Sequence, residues 1–338
     1  MKAAMLAAVV VLAGAGGQQG KGLEIHWIDV EGGAATLIVA PSGESILMDC
    51  GWPDKRDAER IQKAAAAAGV KQIDHYLTSH WHIDHWGGVA ELSGLLNIGT
   101  FYDHGFPDAS AKDVDAKLKE AYLKACGGKN VVLKPGDSLP LKDKSLSVRI
   151  LSGHGLVPGE KAGAAQIRKC AANPEHPAKP DDTSDNARSL GFVLSWGMFD
   201  FLDLGDLTWN VEHKLVCPEN LIGKVDVYQV SHHGLAQSNS PALLRAVEPT
   251  VAVINNGATK GGEAAVYKLL KELPGLKDAW QVHRNVKTTP ADNAPAELTA
   301  NDEEKCQGAG LKLTVGPEGR SFTVEAPSKG TKREYASK

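Results

Sequence analysis

No Cys-x-x-Cys pair occurs anywhere in the 338 residues, which excludes a zinc ribbon or a thioredoxin-type motif. No charge of one sign dominates. Thirty-seven Lys and Arg face 41 Asp and Glu, a formal charge of -4, so coating of duplex DNA by charge alone is excluded. No apolar run reaches the roughly 20 residues that cross a bilayer. There is no internal repeat and no linker that would force two domains. What remains is globular: 42% hydrophobic and 23% charged residues, enough chain to bury a real core.

The ends carry their own expectations. Lys2, the apolar stretch Ala3 to Leu12 and the small-residue site Ala13-Gly14-Ala15 have the form of a secretory leader, so residues 1–22 are expected to be a signal peptide or disordered start. Secreted or periplasmic location follows from that expectation. Residues 23–327 are expected to form the working domain, and the Lys-rich residues 328–338 a disordered tail. Of the five cysteines, Cys50, Cys126, Cys170, Cys217 and Cys306, at least one must stay unpaired. Cys50, at a strand end, reads as a small apolar residue. Cys126 and Cys170 are candidate disulfide partners in an exported protein.

Strand-like stretches lead: Leu23 to Val30, Ala35 to Ala40 and Ser45 to Asp49, the last two parted by the turn Pro41-Ser42-Gly43. Asp54 to Ala68 reads as a helix ended by Gly69, and Ile73 to Ser79 as a strand. Asp113 to Lys124 is an exposed helix, and Gly153 to Asn186 a long functional loop. Strands Leu190 to Trp196, Met198 to Leu204 and Val225 to Val230 follow. Helices at Pro241 to Val247 and Ala264 to Glu272 alternate with strands at Val251 to Asn255 and Asp278 to His283. Leu311 to Val315 and Ser321 to Ala326 read as a hairpin. This order suggests two βα layers packed sheet to sheet with helices outside.

The chemistry concentrates in His80-Trp81-His82-Ile83-Asp84-His85, four ligand-type residues within six positions, after a strand and before Gly87-Gly88. In an extended segment His80 and His82 project the same way and share one ion. Asp84 and His85 come after a turn and face elsewhere. Such ligands suit zinc, iron or manganese. Further ligands must come from other segments. FDFLDLGD presents Asp206 at a strand end, where a carboxylate bridges two ions; Asp203, three positions earlier, competes with it. VSHHG delivers His232 and His233 into a turn. Adjacent side chains diverge, so one ligates and the other faces substrate, with His232 favoured as the ligand. His154, in GHG after a strand, is the candidate third ligand of the first ion. Asn186 and Ser189 hold a turn or touch substrate, and Trp81 and Trp86 are expected to pack.

These residues resemble a known family. SHWHIDHWGG is similar to the HxHxDH signature of the metallo-β-lactamase fold. The stretches HWIDVEGGAATLIVAPSGESILMDCG, DNARSLGFVLSWGMFDFLDLGDL and VDVYQVSHHGLAQSNSPALLRAVEPTVAVINNG resemble the branch found in the soluble hydrolase domain of ComEC-type competence proteins, from about Leu23 to about Asn256. The resemblance implies an αββα sandwich, two mixed sheets face to face with helices outside, and a two-metal site at one edge. Carried over, His80 and His82 bind one ion and Asp84 and His85 the other, Asp206 bridges, and a member of His232-His233 completes the second ion. His154 matches only loosely. Two stretches depart from the pattern. Asp29-Val30-Glu31-Gly32-Gly33-Ala34 stands where the branch often has Asp-Val-Gly-Gln-Gly-Asp, and ATKGGEAA stands where a Gly-His-Pro segment is expected. No multi-span membrane portion lies within the sequence, so uptake through this chain by itself is not expected.

The expected function is metal-dependent hydrolysis by a hydroxide activated between two divalent ions, zinc foremost, with manganese or iron as alternatives. Asp84, Asp206 and His233 are the candidate catalytic residues. The expected substrate is a phosphodiester, with nucleic acid within that class but unsupported by net charge. Small-molecule esters, lactones or β-lactams form a second reading, and a non-catalytic metal-binding protein a third.

Overall fold

Thr36 to Val39 shows how the architecture arises. Ile38 points into one hydrophobic core while Leu37 and Val39 point into another. Side chains alternate across a strand, so a strand apolar on both sides must be covered on both sides. The next strand repeats the pattern, with Ile46 and Met48 in the first core and Leu47 in the second. The first core fills the space between two sheets and continues under the helices of the second sheet, and the second core lies between the first sheet and its helices.

The computed structural model describes residues 22–107, 114–160 and 179–338, so the leader expectation lies outside the described residues. The first half contains β1 (Glu24–Trp27), β2 (Thr36–Val39), β3 (Ser45–Met48), α1 (Lys55–Ala67), β4 (Gln72–Leu77), α2 (Ile83–Trp86), α3 (Val89–Leu95), β5 (Asn97–Asp103), α4 (Ala116–Ala125), β6 (Val131–Val132) and β7 (Leu146–Ser152). The second contains β8 (Gly191–Trp196), β9 (Phe199–Asp203), α5 (Trp209–Val216), β10 (Val227–Gln229), α6 (Pro241–Val247), β11 (Val251–Ile254), α7 (Ala264–Lys271), β12 (Asp278–His283), β13 (Thr299–Asn301), β14 (Leu311–Val315), β15 (Ser321–Ala326) and β16 (Thr331–Ala336). One sheet has nine strands in the order β16-β15-β14-β1-β2-β3-β4-β5-β6, the other seven in the order β13-β12-β11-β10-β9-β8-β7. Both are mixed. The first is parallel from β3 to β6, the second from β9 to β13. With α1, α3 and α4 on one outer face and α5, α6 and α7 on the other side, this is the expected αββα sandwich.

Helix α1 shows the local logic on the outer face. Asp54 caps it by accepting from the Arg56 N–H, and Ala58, Ile61 and Ala65 bury one stripe against the first sheet. Between the sheets the largely apolar core contains a polar tie. Gln229 of β10 accepts hydrogen bonds from Trp27 Nε1 at 2.7 Å and Thr36 Oγ1 at 2.8 Å. Both donors come from the facing sheet, so this buried amide fixes how the two sheets register.

Two expectations are corrected. The tail at 328–338 is not disordered: β16 pairs antiparallel with β15 along its whole length and forms the sheet edge. Its anchor is Tyr335, which stacks on Phe322, accepts from Trp280 Nε1 at 3.0 Å and donates to Asp278 at 2.6 Å. Charged residues alternate with that single aromatic, as suits a solvent-facing edge strand. Cys126 is free, its thiol donating to Leu123 O at the end of α4, whereas Cys217 carries a disulfide. Cys50 is buried against the Tyr76 hydroxyl, as a small core residue would be.

Removing the ring of Tyr335 empties a packed position that also satisfies Trp280 and Asp278. Tyr335→Ala is expected to cost about 3 kcal/mol of stability, read as a shift of the urea midpoint at unchanged slope. No loss would mean that β16 is not integral to the sheet.

Candidate metal centre

Parallel strands that end together present their following loops at one edge, and here both sheets do so on the same side. Met48 of β3 lies in register with Leu77 of β4, and Gln229 of β10 with Asp203 of β9 and Val253 of β11. The loops leaving these strands carry Asp49, the His80–His85 segment, Asp206, His232-His233 and Asn255. Ligand atoms of Asp84, His85, Asp206 and His233 all lie within 4.8 Å of one another. His85 Nε2 is 3.1 Å from Asp206 Oδ2, 3.3 Å from Asp84 Oδ2 and 3.2 Å from His233 Nε2. His80 Nε2 and His232 Nε2 approach the same Asp206 oxygen at 3.8 and 3.5 Å, and His233 Nε2 does so at 3.5 Å. One carboxylate oxygen therefore faces four imidazoles.

The other ring nitrogens explain why all four present Nε2 inward. Ser79 donates its single hydroxyl proton to Asp49 Oδ2 at 2.6 Å, so its lone pairs accept from His80 Nδ1 at 3.0 Å. His85 Nδ1 donates to Asp49 at 2.7 Å, and His233 Nδ1 to the Asn255 carbonyl at 3.1 Å. His232 Nδ1 meets Ser238 Oγ, whose own proton goes to Asp206 O. With its single proton on Nδ1, each ring in its neutral form turns a bare Nε2 lone pair inward. The buried His80 Nε2 has no hydrogen-bond partner at all. Lone pairs and carboxylates converge with too few donors among them, which is the chemistry of a cation site. Histidine nitrogens and carboxylate oxygens fit divalent zinc, iron or manganese.

Protonation follows the same imbalance. Burial opposes charge on Asp206, yet His85, His232 and His233 hold it well below the usual carboxylate range. Asp84 is likewise buried, and held down by His85 and His233. Burial opposes a proton on His85, but Asp206, Asp84 and Asp49 hold its pKa well above the usual imidazole range. Burial draws His232 down to about 4.

The placements differ from expectation in two respects. His233, rather than His232, stands beside Asp84 and His85. Both residues adopt left-handed backbone, φ 55° and 52°, and this tight turn directs both rings at Asp206 instead of letting them diverge. His232 lies on the Asn186 side, its Nε2 3.4 Å from the Asn186 amide. His154 does not join the cluster. It is exposed, with φ 55° in a tight turn, its ring 6.2 Å from that of His104, and it lines a separate cavity with Val132 and Pro135. Asp185 takes the inner position on that side, its carboxylate accepting from Trp81 N and facing His104 Nε2. It thereby fixes the backbone between His80 and His82. His82 is half-buried, its ring 4.7 Å from that of His80, and it opens onto a cavity of about 780 Å³ lined also by Asn186, Trp209 and Lys179.

Sequence reasoning missed Asp49, Ser79, Asp185 and Lys260. Asp49 closes SILMD just before Cys-Gly, and an acid at a strand end next to a glycine was its available signal. Lys260, in ATKGG, contacts Asp84 Oδ2 and stands over the Trp52 ring. Elsewhere Asp29, His283 and Cys306 also gather ligand atoms within 4.8 Å, but Arg60 already supplies the positive charge on Asp29 at 3.2 Å.

Comparison with known proteins agrees with this geometry. Residues 28–160 match the profile of the Metallo-beta-lactamase superfamily. Recombination protein 2 of Haemophilus influenzae is 32% identical over 261 residues, 76% of this chain and 27% of that protein. Ribonuclease Z of a Bradyrhizobium species is 35% identical over 75 residues, 21% of this chain and 23% of that protein. The chain thus spans about a quarter of the length of the curated relatives it matches. The subclass B3 metallo-β-lactamase MEM-A1, from a soil metagenome library, aligns over 76% of this chain and 84% of that one, at 15% identity and a TM-score of 0.40. The E377D mutant of the CmlA β-hydroxylase aligns over 77% and 52%, at 15% identity and a TM-score of 0.48. The sandwich and its metal-ligand edge define a metallohydrolase fold. Residues 28–160 carry the metallo-β-lactamase superfamily match, and the chain's likeness to Recombination protein 2 accords with the ComEC-type resemblance.

Two outcomes follow. Asp49 holds both ends of the His80–His85 segment, through Ser79 and His85, without itself facing the cluster centre, so Asp49→Ala should weaken metal binding roughly 10- to 100-fold in a chelator-competition titration. Undiminished affinity would show that Asp49 only packs. Asp203 is the second outcome. Burial, aided by the Asp49 and Asp206 charges, pushes its carboxyl from 3.8 up to about 7. Folding therefore retains its proton between those values, and the stability it lends is complete below about pH 4 and lost as pH rises through about 7. Asn at this position cannot titrate. From about pH 4 to about pH 8 the metal-free wild type should lose up to about 4 kcal/mol relative to Asp203→Asn. Parallel pH profiles would contradict it.

Proposed function

We propose that the protein is a hydrolase of phosphodiesters working with two divalent ions, zinc foremost. The observation that carries the reading is the single Asp206 oxygen ringed by four inward-facing imidazoles beside Asp84. Asp84, His85 and His233 would hold one ion, His80 and His82 with the nearby His232 the other, and Asp206 would lie between them. Ions held there would supply Lewis acidity and bring the pKa of water toward neutrality. The chain's own contribution is orientation. Asp49 and Ser79 lock the rings of His80 and His85, Asn255 locks His233, and Ser189 Oγ accepts from the Asp206 N–H to fix the strand end. Asn186 faces both His232 and the adjoining cavity, where its amide can position substrate. Likeness to Recombination protein 2 and Ribonuclease Z supports nucleic acid or its fragments as the substrate class.

The cavity beside His82 qualifies that class. It is lined by Asp181, Asp182 and Glu263 against the single cation of Lys179, whose ammonium lies 3.4 Å from the Trp209 ring centre. Such a wall opposes a long polyanion far more strongly than a short phosphodiester with a single charge. It also suits a neutral ester or lactone, the second reading. Export to the periplasm or the medium belongs to this proposal, supported by the bonded Cys217, since disulfides persist in oxidising compartments.

Purified full-length protein should bind about two divalent ions per chain and hydrolyse bis-p-nitrophenyl phosphate in preference to p-nitrophenyl acetate, a lactone or nitrocefin. Asp206→Ala should lower that turnover at least about 100-fold. Preference for the ester or lactone would establish the second reading. Stoichiometric metal with no turnover in the panel would favour a binding protein.

A further inference from the structure

Lys260 is held in place far more firmly than a surface lysine. Its backbone lies in a turn whose carbonyls are fixed on every side. Gly257 N donates to Lys260 O at 2.9 Å, Val286 N to Ala258 O at 2.9 Å, Lys287 Nζ to Thr259 O at 2.9 Å, and Asn285 Nδ2 to Gly261 O at 2.8 Å. Gly262 N donates to His233 O at 2.7 Å, which ties the turn to the metal-ligand loop itself. That closeness requires glycine: at Gly261, φ 79°, a Cβ would stand 2.2 Å from the His233 carbonyl oxygen. The side chain then runs past Gly32 and along the Trp52 ring to Asp84.

The placement does not serve the ligand cluster. Asp84 already has His85 and His233 at 3.3 and 3.2 Å, and an ammonium on a metal-ligating carboxylate competes with the ion. Other carboxylates along the wall are engaged. Glu31 is paired with Arg56 and Arg60, and Glu263 accepts from Ala236 N. Even while it contacts Asp84, the lysine has one third of its side chain open to solvent at the edge of the site, and a cation held at Asp84 would repel it toward that opening. An ammonium so placed matches a negatively charged oxygen on the substrate.

We propose that Lys260 is the anion anchor of this site, holding a non-reacting phosphoryl oxygen of the substrate and selecting anionic over neutral substrates. As a statement about substrate it rests on the hydrolase reading, but the binding of an oxyanion can be measured without turnover.

The test uses the full chain reconstituted with metal, as wild type, Lys260→Gln and Lys260→Arg. Inorganic phosphate is titrated calorimetrically, and metal content is measured in parallel. Lys260→Gln should keep its metal and bind phosphate roughly tenfold or more weakly, with Lys260→Arg recovering most of the loss. The ratio of kcat/KM for bis-p-nitrophenyl phosphate to that for p-nitrophenyl acetate should fall about tenfold in Lys260→Gln, mainly through KM for the diester. Unchanged phosphate affinity overturns the proposal. So does loss of metal in Lys260→Gln, which would show that the lysine serves the ligands and not the substrate. Lysine-dependent phosphate binding in a protein that hydrolyses nothing would sustain the anchor and defeat the hydrolase reading.

Discussion

The buried carboxylate of Asp206 is the point on which the site turns. An ionised carboxylate taken out of water is costly unless it is paired or coordinated. Here it is surrounded by imidazoles whose outer nitrogens are committed to Asp49, Ser79, Ser238 and Asn255, and only a second proton on a ring or a bound cation offsets its charge. Those outer bonds leave the rings little freedom to turn away. The cluster therefore holds a fixed set of acceptors around too few protons, and a divalent ion resolves the imbalance more fully than a proton shared among four rings.

Such convergence depends on the sandwich. Ligands separated by more than a hundred residues meet because β3 and β4 of one sheet and β9, β10 and β11 of the other end at the same edge. The Gln229 tie to Trp27 and Thr36 sets how the sheets face one another, two positions before the loop that carries His232. Asp49 then links the sequels of β3 and β4 through Ser79 and His85. A change that let one sheet slide over the other would pull Asp206 and His233 away from His85 without altering any ligand.

Much of this was legible in the residues, and what was not has identifiable causes. The alternating apolar strands, the capped helix beginning at Asp54 and the HxHxDH segment are local patterns, and local patterns survive in a sequence. Strand β16 was read as a disordered tail because its pattern is charged except for Tyr335, whose partners Trp280 and Asp278 lie about 55 residues away. The order of His232 and His233 depends on two left-handed backbone angles that histidine rarely adopts and that no spacing rule predicts. His154 has a persuasive Gly-His-Gly context, yet its turn faces outward and Asp185 takes the inner place. Asp49 and Ser79 act only by touching residues distant in sequence, so neither stood out.

The two stretches that depart from the ComEC-type pattern meet in the structure. The loop Glu31-Gly32-Gly33 and the turn from Gly257 to Gly262 are more than 220 residues apart, yet they pack directly together. A Cβ on Gly257 would stand 2.7 Å from the Glu31 carbonyl carbon, and one on Gly32 would stand 3.1 Å from the Lys260 Cβ. Gly33 lies as close to the Asp84 carbonyl and the Trp52 ring. A side chain in place of Gly33 or Gly257 would not fit against the neighbouring backbone as it now stands. Lys260 places a cation at this edge of the site, while Asp181, Asp182 and Glu263 line the cavity beside His82. A bipolar cleft of this kind orients a small substrate with one charged end, whereas a uniformly basic groove would be needed to follow a long phosphate backbone.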